Sequence, residues 1–172
     1  MRIRARSLTL SALMTALTAL LSPVAVPLGP GAVTLQTFLI ALTGYMRPPK
    51  EAFFSALAYL LLGACGLPVF SMLRGGLSVL TGPTGGYLIA FPVMALMCAL
   101  GRRRPRMRAA AGLAGLLVVY ITGTAQLAGV AGLGIGQAIL AGAAPYLVKD
   151  ILSILCADYL ARMTEKRLHP PG

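Results

Sequence analysis

Lys149 and Asp150 stand side by side in an otherwise apolar stretch, 145–163. An ionised side chain in such a setting is expensive unless it is paired or used, so position alone makes the pair a functional candidate. Pro145 suits the first position of a helix, where its missing N–H is not needed. Adjacent helix positions diverge by about 100°. One of the two can therefore face an interior cavity while the other turns to a neighbouring helix or outward. The structural alternative is an ion pair that only holds helices together.

Other polar residues at the margins of apolar stretches group with this pair. They are Gln36, Arg74, Thr84, Tyr87 and Gln126. A few polar groups converging in apolar surroundings is the usual make-up of a small-molecule site. Two cations, Arg74 and Lys149, beside the Asp150 carboxylate and the Gln36 amide suit an amphiphilic ligand. It would carry one anionic end and one end rich in hydrogen-bond donors.

The stretch "GPTGGYLIAF" (82–91) has the glycine density of a phosphate loop. It lacks the lysine of G-x-x-x-x-G-K-[ST], so it is not a nucleotide cradle. Gly85 and Gly86 let the backbone come close to a neighbouring helix or the ligand, and Tyr87 would point its ring into the pocket. On the first apolar segment Ala12, Ala16 and Ala19 share a stripe, with Ser11 and Thr15 beside it. Small residues at this spacing allow close helix contact, either with a partner subunit or within the bundle. Asp158 and Arg162 have the i, i+4 spacing of an ordinary surface pair.

Catalysis finds little to work with. The single histidine is His169, near the C-terminus, and Cys65, Cys98 and Cys156 form no metal-ligand spacing, so neither a metal nor any other cofactor is expected. No nucleophile–base set can be assembled, which leaves a membrane enzyme without a mechanism.

The elements that must position these residues follow from composition. Of 172 residues 58% are hydrophobic and 11% charged, where a soluble domain is about a quarter charged. The class is an all-α integral membrane protein. Six spans are expected, about 8–25, 32–46, 51–68, 85–101, 109–127 and 145–163, forming one domain over 1–172. The net charge of +11 excludes nucleic-acid binding, because the cations sit in short clusters between apolar runs and build no basic face.

Arg2, Arg4 and Arg6 precede the first span, Arg47 and Lys50 follow the second, Arg102 to Arg108 follow the fourth, and Arg162, Lys166 and Arg167 follow the last. Arg74 is alone on the other side. Positive residues mark the cytoplasmic side, so both termini are placed there. A cleaved signal peptide at the N-terminus would disturb this alternation, so an uncleaved first helix fits better. Two connections, 69–84 and 128–144, are apolar and suited to fold back as lids.

The segments "TLQTFLIALTGYMRPPKEA" (34–52), "YLLLGACGLPVF" (59–70), "GPTGGYLIAF" (82–91), "VVYITG" (118–123) and "APYLVKD" (144–150) occur in an order that resembles the BioY family. These are biotin-specific S components of energy-coupling factor (ECF) transporters. The resemblance covers roughly 8–163. It implies a six-helix subunit of the bacterial plasma membrane that captures biotin from outside. Its partners would be a transmembrane coupling protein and two cytoplasmic ATPases, with Ala12 and Ala16 docking the coupling protein. The family often carries a lysine three residues after the acidic residue of the last helix. Here Ser153 stands at that place and Lys149 precedes Asp150.

On this reading Asp150 accepts a ureido N–H, Gln36 helps satisfy the ring, and Arg74 or Lys149 meets the carboxylate. Tyr87 and Phe70 pack on the thiophane, with Gly85 and Gly86 in the wall. The alternative is an autonomous facilitator or channel, which needs a continuous polar path.

Overall fold

The computed structural model describes residues 5–28, 31–104 and 106–168. Arg2, Arg4 and His169 lie outside the described residues. The chain runs through α1 (Ala5–Leu21), strands β1 (Ala25–Leu28) and β2 (Gly31–Thr34), α2 (Gln36–Met46) and α3 (Pro49–Ala64). A 3-10 turn (Ser71–Leu73) leads to the short α4 (Leu77–Thr81) and α5 (Gly85–Ile89). The chain continues as α6 (Phe91–Gly101), α7 (Arg108–Ala131), α8 (Ile135–Gly142) and α9 (Ala144–Leu168).

The mostly helical expectation holds, with one correction to an all-α chain. Residues 25–28 and 31–34 pair as antiparallel strands, with Val26 opposite Val33 and Pro27 opposite Ala32. Pro23 and Pro27 lack the N–H a helix needs, and β-branched Val24, Val26 and Val33 favour the extended backbone. The segment expected from residue 32 therefore becomes helical only at Gln36. The apolar connections also acquire structure, as the turn with α4 and as α8. Gly132, in the left-handed region at φ 64°, ends α7.

Among the described residues, Arg108–Ala131 is by itself long and apolar enough to cross a bilayer. Ile135–Gly142 and Ala144–Arg167 form a second such length only across a 51° bend. By contrast α1 has 17 residues, α3 has 16 and α2 has 11, below the ~20 of a straight span.

The core is centred on α2, which is buried from Gln36 to Tyr45 apart from Phe38. It packs between α6 and α9, and α6 packs in turn on α3 and α7. Small residues set the closest approaches. A Cβ at Gly44 would strike Cys98 and the Ala95 carbonyl, and one at Gly112 would strike the Tyr45 hydroxyl. Much of the outside is apolar, with Leu8, Leu20, Phe54, Leu117, Val148 and Leu152 all exposed. Such an exterior is what a lipid environment accommodates and water does not.

Two buried polar knots close the end where α2 and α6 finish and where α3 and α7 begin. In the first, Arg47 pairs with Glu51, and its guanidinium donates to the carbonyl and the hydroxyl of Ser7, each at 2.8 Å. In the second, Arg108 Nε donates to Asp158 Oδ1 and Nη1 to Glu165 Oε2 at 2.8 Å, with the guanidinium 5.4 Å above the Tyr45 ring. Asp158 was expected in a surface pair. Its Oδ2 does accept from Arg162, at 2.7 Å, but Asp158 is only 6% exposed and its deeper partner is Arg108, 4% exposed.

Candidate functional site

A cavity of about 110 Å³ opens at the other end, between the starts of α2 and α9, α5 and the second half of α7. That is several times the space one water requires. Each wall is placed by its element. Gln36 opens α2 directly after the hairpin, where Thr34 Oγ1 donates to Gln36 Oε1 at 3.2 Å and accepts from the Gln36 backbone N–H at 3.3 Å. The Gln36 Nε2 donates to Tyr59 Oη at 2.8 Å.

Lys149 and Asp150 come from the second turn of α9, after Pro145. Asp150 is buried and pairs with Lys149, whose Nζ also donates to the Thr34 carbonyl at 3.2 Å. From α7, Tyr120 Oη donates to Asp150 Oδ2 at 2.7 Å. The other carboxylate oxygen, Oδ1, is buried and faces the Lys149 ammonium in the ion pair. Tyr87 packs edge-on against Tyr120, ring centres 6.3 Å apart, and its buried hydroxyl has no hydrogen-bond partner. The lining thus offers the lone-pair capacity left on Asp150 Oδ1 beside Lys149 and one unused hydroxyl, Tyr87 Oη. A buried polar atom left without a partner is unfavourable, so a ligand that supplies a partner to Tyr87 Oη gains a hydrogen bond there.

The structure brings Gln36, Thr84, Tyr87, Lys149 and Asp150 onto this one cavity. Gly85 and Gly86 stand behind it. A Cβ at Gly86 would run into the Thr122 carbonyl and one at Gly85 into that of Leu80, so both let α5 seat closely and deliver Tyr87. Arg74 is exposed and is not in the lining; it stands three residues after the lining Ser71, in the connection that puts Ser71, Pro83 and Thr84 on one side of the cavity. Gln126 instead ties that segment down, donating to the carbonyls of Leu80 and Gly82 at 2.7 Å each. Phe70 is buried against Tyr59, with ring centres 5.7 Å apart, and is not in the lining.

Sequence reasoning missed Thr34, Phe91, Tyr120 and Tyr146, all of which line the cavity. Tyr146 carried a readable signal, since it stands four residues before Asp150 and therefore on the same helix face. Tyr120 lay inside a recognised segment but had no spacing partner. Among the described residues no group of His, Cys, Asp and Glu converges to hold a metal ion.

A model of the BioY family matches residues 1–170. The chain belongs to the BioY family. Among its BioY relatives, the probable biotin transporter BioY of Pyrococcus horikoshii is 40% identical, over 92% of this chain and 95% of that protein. The biotin transporter BioY2 of Lactococcus lactis is 37% identical, over 87% and 84%. The biotin transporter BioY of Thermotoga maritima is 35% identical, over 94% and 96%. The crystal structure of an S-component for biotin from an ECF-type ABC transporter matches with a TM-score of 0.87 at 24% identity, covering 95% of this chain and 92% of that one. At that identity the likeness is one of fold. The BioY relatives are named as biotin transporters.

Proposed function

We propose that this chain is the substrate-binding subunit of an ECF transporter, capturing biotin from outside and delivering it for ATP-driven uptake. The observation that carries this reading is Asp150. It is a buried carboxylate in a cavity wall, held by Tyr120 on Oδ2 and ion-paired with Lys149 on Oδ1. An ionised carboxylate has about four lone-pair sites, so a ureido N–H adds a charge-assisted bond at Oδ1 beside Lys149. Gln36 and Tyr87 supply further polar contacts to the ring, and Phe91 supplies apolar surface. Lys149 neutralises Asp150. A ligand held at Asp150 carries its carboxylate a whole valerate chain away, so Arg74, in the segment over the cavity, is assigned to that end. Gly85 and Gly86 support the wall.

The same reading places the chain in the bacterial plasma membrane with six spans: α1, α2 with the hairpin, α3, α5 with α6, α7, and α9. Both termini are cytoplasmic. The support is the clustering of Arg47, Lys50, the 102–108 arginines and Lys166 at the end away from the cavity. The ATPase partners are separate subunits, and a coupling protein docks on Ala12 and Ala16. Both alanines are exposed on α1, while Thr15 turns inward to donate to the Ser55 carbonyl at 3.0 Å.

Labelled-biotin uptake by cells expressing the chain with and without the ATPase module tests this. The reading predicts uptake that requires the module. Uptake equal in its absence belongs to the facilitator reading.

A further inference from the structure

Tyr59 does not line the cavity, yet its hydroxyl joins a cavity wall to the segment above it. It accepts from Gln36 Nε2 at 2.8 Å and donates to the Val69 carbonyl at 3.0 Å. The residue is 0% exposed. We propose that Tyr59 is the positioning residue for Gln36, and that it makes the orientation of that amide and the seating of the covering segment depend on one hydroxyl. This rests on the biotin reading above.

The two ends of a glutamine amide have nearly the same shape, and one donates while the other accepts. Partners alone decide which way round it sits. A tyrosine hydroxyl has a single proton. Here that proton is committed to Val69, so only a lone pair faces Gln36, and only Nε2 can occupy that place. On the other side Thr34 Oγ1 donates to Gln36 Oε1 at 3.2 Å. The amide is therefore held from both ends. What it offers the cavity is fixed: the second N–H and the second lone pair of Oε1, in one order.

The covering segment is registered on the same residue. Phe70 packs edge-on against the Tyr59 ring, filling the space left where Gly63 has no side chain. Phe70 N–H donates to the Arg74 carbonyl at 2.9 Å, Gly76 N–H to the Gly63 carbonyl at 2.7 Å and Met72 N–H to the Pro23 carbonyl at 3.2 Å. Met72 and Leu73 sit in the left-handed region, at φ 60° and 59°, a conformation that non-glycine residues hold only when the surroundings impose it. Ser71, between these anchors, lines the cavity. A ligand that engages Gln36 therefore reinforces the hydroxyl that holds Val69.

A double-mutant cycle on the purified full chain tests this, with biotin affinity read by titration calorimetry. Tyr59→Phe keeps the ring and its packing and removes only the hydroxyl. The expected result is roughly tenfold weaker binding in the wild-type background, the size of one misplaced hydrogen bond. In a Gln36→Leu background Tyr59→Phe should cost clearly less than in the wild type, because the amide it orients is gone and only the Val69 anchor is lost. A purely structural role gives the same loss in both backgrounds, and that result overturns the proposal. So does unchanged affinity in Tyr59→Phe alone.

A second measurement does not depend on how well Tyr59→Phe folds. Cys65 is exposed just before the covering segment. In a Cys156→Ser background, biotin should slow maleimide labelling of Cys65 in the otherwise wild-type chain. That protection should be lost in Gln36→Leu at saturating biotin. Full protection in Gln36→Leu overturns the link between amide and segment. A wild-type chain that does not bind biotin removes the parent reading, whereas wild-type binding with an unaltered Tyr59→Phe removes this one alone.

Discussion

Tyr120 and Asp150, thirty residues apart on α7 and α9, meet through a hydrogen bond from Oη to Oδ2 of 2.7 Å. That bond turns Asp150 Oδ1 toward Lys149, and a ligand N–H uses the lone-pair capacity left on that oxygen. Tyr120→Phe keeps the ring against Tyr87 but lets the carboxylate rotate. The expected effect on biotin binding is about 1.5–3 kcal/mol, the range for hydrogen bonds to a charged group. Titration calorimetry of the purified variant reads it directly, and an unchanged affinity contradicts the orienting role.

Arg74 is assigned to the ligand carboxylate because Lys149 is engaged with Asp150 and Thr34. Arg74→Ala should weaken biotin by at least roughly tenfold, one charge-assisted bond. It should leave biotinamide, which has no carboxylate, nearly unaffected. Competition binding with both ligands checks this. Equal losses for the two ligands contradict the assignment.

Arg108 and Asp158 lie at the opposite end from the cavity, buried and paired. Removing one partner leaves an uncompensated buried charge, which costs about 3–5 kcal/mol. Arg108→Ala should therefore lower the melting temperature in detergent by several degrees. Biotin affinity measured well below that melting temperature should stay within about threefold of wild type, because sites this far apart act independently. A large loss of affinity with an unchanged melting temperature is the contrary result.

Ala12 and Ala16 are exposed on α1, on the face assigned to the coupling protein. Ala16→Trp should abolish module-dependent uptake while leaving biotin binding to the isolated chain intact. Parallel uptake and calorimetry separate the two. Wild-type uptake by this variant removes α1 from the docking surface.

Much of the fold was legible because its apolar runs have sharp punctuation. The 85–101 segment is bracketed by "GPT" and "GRRR" and appears as α5 and α6 with those limits. The hairpin was not legible, since "AVPLGPGAVT" is as oily as its neighbours and its pairing has no periodic signature. Lys149 and Asp150 were legible because charge inside an apolar run is rare. Gln36 was legible as an amide at a segment margin, but its partners were not. Thr34 is fixed by the hairpin, and Tyr59 and Val69 meet it only through the folded chain. Arg108 read as one more loop cation. Its role depends on Asp158, fifty residues away, a pairing that no i, i+4 rule can anticipate.

The most direct test of the account is biotin titration calorimetry on purified wild-type chain and Asp150→Ala, with folding of both verified by melting. The account predicts tight binding by the wild type and a loss of at least roughly a hundredfold in Asp150→Ala, about 2.7 kcal/mol. Near-wild-type affinity in Asp150→Ala would contradict it.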